Sequence, residues 1–96
     1  MKTNLKSIKG QIHKYFGEVK HRVHIFTYRQ VEIADIEYED FRNEKHVEED
    51  LKKILGEGIQ VCLKRECSNT MEQHILHAYG PVSPIRLHQL IEEYEE

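Results

Sequence analysis

Cys62, Cys67, His74 and His77 are the residues whose types most readily do chemistry together, because thiolate and imidazole are the ligands of structural zinc sites. On a helix, His74 and His77 would project about 60° apart and reach one ion. The order of the four is that of a zinc finger, but only six residues separate Cys67 from His74, where a finger leaves about twelve. A zinc-stabilised domain is therefore one reading. In the other, Cys62 is a small strand residue, Cys67 closes its strand and the two histidines lie on a helix surface. His21 and His24 are a second pair, but at opposite parity on a strand they face opposite ways. His13, His46 and His88 read as helix-surface residues.

The remaining chemistry is sparse. Gly56-Glu57-Gly58 is too short to cradle a phosphate, and its acid opposes one. Ser7, Ser68 and Ser83 read as caps or surface residues rather than nucleophiles. A cysteine-histidine dyad arises easily by chance in a chain with seven histidines. Catalysis is not the expectation, and no cofactor other than zinc is implied. Nucleic-acid binding is the stronger alternative, carried by Lys6, Lys9, Lys14, Lys20, Arg22 and Arg29, with Tyr15, Phe26 and Tyr28 available to stack on bases. Against it, Tyr15 falls in an apolar helical stripe, and the basic segment has an acidic neighbour to pair with.

The elements that would position these residues follow from periodicity. Leu5, Ile8, Ile12, Tyr15, Phe16 and Val19 recur every three or four residues, the stripe of an amphipathic helix. From Arg22 to Tyr38 the period falls to two among β-branched and aromatic residues, implying two strands with a turn near Tyr28 to Gln30. A second helix runs from about Phe41 to Leu55, capped by Asp40 or Asn43 and stopped by Gly56. Ile59, Val61 and Leu63 alternate with polar residues as one more strand. Thr70 and Gln73 have capping-box spacing ahead of a Met71, Ile75, Ala78, Tyr79 stripe, and Ser83-Pro84 opens a final helix. These last two helices would form a C-terminal hairpin, too generic in outline to be a DNA-reading motif.

The expected architecture is a single α+β domain over 1-96. A small mixed or antiparallel sheet of about three strands is packed by two amphipathic helices, and the hairpin completes the core. With 96 residues, 39% hydrophobic and 32% charged, the chain fits one domain and no membrane span. The start MKTNLKSIKG lacks the apolar core of a signal peptide, so a cytoplasmic protein with reduced thiols is expected. The net charge of −3 conceals segregation: +6 over residues 1-29, −6 over 30-58 and −3 over 59-96. The expected function is a small non-catalytic binding or regulatory protein acting through protein contact at the acidic second helix and the C-terminal hairpin. Open sheet edges and complementary charge blocks also suggest a homodimer.

Overall fold

The first apolar stripe folds as a 3-10 turn over Leu5–Ile8 running directly into helix α1, Lys9–Phe16, and it buries Leu5, Ile8, Ile12 and Phe16. A computed structural model describes residues 5-39, 44-69 and 72-96. The alternating segment becomes two strands, β1 (His21–Tyr28) and β2 (Val31–Glu39), paired antiparallel with Tyr28 opposite Val31. Their two-residue turn is Arg29-Gln30, both at positive φ, 51° and 65°. That is the backbone a tight hairpin needs, although neither residue is the glycine or asparagine that usually marks it. Helix α2 is Glu44–Leu55, ended at Gly56 (φ 91°), whose N–H donates to Lys52 O. The caps expected at Asp40 or Asn43 lie outside the described residues, as does that at Thr70.

The expected C-terminal helical hairpin is absent. Strand β3 spans Val61–Asn69, and the segment read as a helix is strand β4, Glu72–Gly80, paired antiparallel with it. Only the second expected helix forms, as α3, Pro84–Glu95; its N-cap Ser83 accepts through Oγ from Arg86 N–H at 3.3 Å, with Pro84 at the first helical position. β4 also pairs with β2, which makes the sheet four-stranded in the order β1-β2-β4-β3. The class is α+β, with one more strand and one fewer helix than the periodicity implied.

The sheet separates two cores. On one face the 3-10 turn, α1 and α2 cover Val23, Ala34, Ile36, Tyr38 and Tyr79 with Leu5, Ile12, Phe16, Val47, Leu51 and Leu55. On the other, α3 lays Leu87, Leu90 and Ile91 over Phe26, Ile33 and Ala78. Strand alternation sends odd positions of β1 and β4, and even positions of β2 and β3, to the α1/α2 face. At about 25 cal/mol per Å² each layer is held chiefly by apolar burial. Among the described residues no helix is long and apolar enough to cross a membrane.

Candidate functional site

The segment expected to be the helix carrying His74 and His77 is strand β4. His74 and His77 are three apart on β4, so they sit at opposite parity rather than on one helical face. Cys67 is the register partner of His74, while Cys62 is the partner of Tyr79. The described residues contain no group of three or more His, Cys, Asp and Glu able to hold a metal ion.

What the strands assemble instead is a buried polar chain on the α1/α2 face. His77 is the one polar residue among the buried ones described. Its Nε2 lies 3.3 Å from the Tyr38 hydroxyl and its Nδ1 2.9 Å from the Tyr79 hydroxyl. Tyr79 and Glu48 both act on the neighbouring Cys62 thiol, and Glu48 pairs with Lys52 at 3.3 Å on the surface of α2. One set of proton positions satisfies both links of His77: Tyr38 O–H donates to His77 Nε2, and His77 Nδ1–H donates to the Tyr79 hydroxyl. A head-to-tail chain of this kind polarises itself in a low-dielectric core and fixes the register of β4 against β2 and β3.

Its electrostatics oppose nucleophilic chemistry. Burial, reinforced by the Glu48 carboxylate, pushes the Cys62 thiol up to about 11. Burial and the neighbouring Cys62 likewise raise the Tyr79 hydroxyl above its ordinary value. A thiol of this kind stays protonated near neutrality and is inert. Cys62 and a histidine therefore belong to one chain without forming a dyad, since Tyr79 stands between them.

The six bases expected to bind nucleic acid do not share one surface. Lys6, Lys9 and Lys14 are exposed on the 3-10 turn and α1, and Lys20 is exposed just before β1. Arg22 lies opposite Glu37 on the sheet face that α3 covers. Arg29, at the β1-β2 turn, donates through Nε to Glu93 at 2.7 Å and sits 5.5 Å over the Tyr28 ring. Of the stacking candidates, Phe26 is buried, with Tyr94 stacked on it at 4.1 Å, and the Tyr15 hydroxyl donates to Asp50 at 2.7 Å, joining α1 to α2.

The charge blocks thus meet partly within the fold. Beside the Arg29-Glu93 pair, Arg65 on β3 reaches Asp35 at 2.9 Å and Glu95 at 3.3 Å. Burial lifts the Asp35 carboxyl above its ordinary value, and Arg65 only partly offsets this.

Two features were not anticipated. The first is a contact between His13, in the last turn of α1, and His21, the first residue of β1, with His13 Nδ1 2.7 Å from His21 Nε2. The only sequence signal for it is the short Gly17 connection that folds strand back onto helix. The second is the edge formed by β3. Val61 and Leu63 lie toward the α3 core and Cys62 toward the α2 core, yet all three are half-buried. At its neighbour β4, residues 77 to 80 are all buried. A shallow groove of about 280 Å³ at the nearby end of α2 is lined by Lys52, Lys53, Gly56, Glu57, Ile59 and Gln60, and it is too open to enclose a small molecule. Comparison with protein-family models, with curated proteins and with solved structures finds no match to this chain.

Proposed function

We propose that the protein is a small non-catalytic binding module that acts through protein contact, with strand β3 as the contact edge. The observation that carries this reading is the half-buried state of Val61, Cys62 and Leu63, apolar residues on both faces of one edge strand. An extended segment of a partner protein, added alongside β3, gains main-chain hydrogen bonds and extends both cores at once. The other edge strand, β1, already buries Val23 and Phe26 and leaves Ile25 and Tyr28 half-buried, whereas β3 leaves three consecutive apolar residues so. A cytoplasmic, regulatory setting belongs to the same proposal; it is supported by Cys62 being a free thiol held by Tyr79 and Glu48.

Selection of random nine-residue peptides displayed on phage tests the reading, with Leu63→Lys as the comparison because an edge lysine discourages strand addition. Peptides enriched on the natural chain are expected to bind the folded variant at least about tenfold more weakly, or about 1.4 kcal/mol. Equal binding to both proteins would overturn the proposal.

A further inference from the structure

The edge of β3 reads alike in both directions. Gln60 is exposed, Val61, Cys62 and Leu63 are half-buried, and Lys64 is exposed again, so Cys62 is flanked on either side by an aliphatic residue and then a polar one. Val61 and Leu63 lie toward the α3 core, and Cys62 lies toward the α2 core. On the α2 side the charges are balanced about the same point. Glu48 and Lys52, one helical turn apart and paired at 3.3 Å, both bear on the Cys62 thiol. Their side chains remain 34% and 41% exposed, so each still presents surface to a second partner.

Building on the reading of β3 as the contact edge, we propose that the segment added there is β3 of a second copy of this chain, paired antiparallel about a two-fold axis at Cys62. That axis sets Val61 of each copy opposite Leu63 of the other and Cys62 opposite Cys62, with Gln60 of one copy facing Lys64 of the other at the ends. Apolar residues meet apolar residues throughout. Moving the axis by one residue sets Cys62 against exposed Gln60 or against the charge of Lys64, so side-chain matching selects the register. Because such an axis pairs residues of like parity, the outward main-chain groups of one edge meet those of the other. The two four-stranded sheets become one, with α3 beside its copy on one face and α2 antiparallel to its copy on the other. Since Glu48 and Lys52 both reach Cys62, the axis passes between these two positions of α2, and Glu48 of each copy meets Lys52 of the other. The contact is short and falls at the small end of protein interfaces, which makes the dimer concentration-dependent. In dilute solution the edge stands free.

Sedimentation velocity of the full chain between about 10 μM and about 1 mM is the first test, because it spans the weak affinities expected of a small interface. The mass should rise from 11.5 kDa toward twice that value, and Leu63→Lys should remain a monomer. In an equal mixture of isotope-labelled and unlabelled natural chains, filtered NOE spectra should connect the Val61 methyls of one copy to the Leu63 methyls of the other, a readout that needs no variant. Glu48→Lys should weaken association at least about threefold, and Glu48→Lys combined with Lys52→Glu should restore it, since the swap rebuilds the pairs across the axis. A monomer at every concentration, or intermolecular contacts that leave out Val61 and Leu63, rules the proposal out. If that monomer still binds selected peptides that Leu63→Lys loses, β3 stands as the contact edge and only the second copy is excluded as its partner.

Discussion

The most constrained side chains are Tyr38, His77 and Tyr79, all buried and joined by hydrogen bonds through His77, with the half-buried Cys62 and Glu48 beside them. Removing the Tyr79 hydroxyl leaves His77 Nδ1, which is buried, without this partner. Tyr79→Phe should therefore lower stability by about 1–3 kcal/mol, while Tyr94→Phe, at the surface of α3, stays within about 0.5 kcal/mol; chemical denaturation distinguishes them. Cys62 makes a separate prediction. An unfolded thiol titrates near 9.0 and the folded one near 11, so between those values the folded chain keeps a proton that the unfolded chain has lost. Stability should then fall as pH rises from about 9 to 11, with the contribution fully present below that window. Cys62→Ala should flatten the slope in denaturation midpoints taken at pH 8 and pH 10.5, leaving the smaller part due to Tyr79. None of this cluster was legible in the sequence, because its members share a face only once residues 72 to 80 are a strand.

At the scale of elements, legibility depended on how many faces each element buries. α1, α2, β1, β2 and α3 each carry a pattern with one clear apolar side, and each appears close to its expected place. β4 is a central strand covered by helices on both faces, so Ile75-Leu76-His77-Ala78-Tyr79-Gly80 has no alternation to betray it. Its residues at steps of three and four then imitated a helical stripe. The turns show a related limit: Arg29 and Gln30 adopt positive φ without the residues that advertise it. Gly17, by contrast, has φ 60° and ψ −120° at the end of α1, while Gly10 is helical, and a Cβ at either would meet nothing within 4 Å. The same substitution should thus act oppositely at the two sites. Gly17→Ala should destabilise the chain by about 1 kcal/mol or more through backbone strain, and Gly10→Ala should stabilise it by up to about 1 kcal/mol, both read from thermal melts.

At the scale of the whole molecule, the sheet is closed on both faces and open at its sides, and the charge blocks are partly matched within it. Arg29 of the basic third reaches Glu93, and Arg65 bridges Asp35 to Glu95, so the segregation seen along the chain is only partly a segregation on the surface. With Arg22 and Arg29 on the opposite face from Lys6, Lys9 and Lys14, generic DNA and RNA should bind weakly even at low salt, in a fluorescence-anisotropy titration. A steep salt-dependent affinity would instead mark a coherent cationic surface. The protein contact expected at the acidic α2 and at a hairpin that does not form is instead proposed at the edge of β3. Amide hydrogen exchange on the chain with and without a phage-selected peptide tests that claim most directly. The account predicts slowed exchange concentrated in residues 61 to 65, and protection confined to β1, α1 or α2 with β3 unchanged would contradict it.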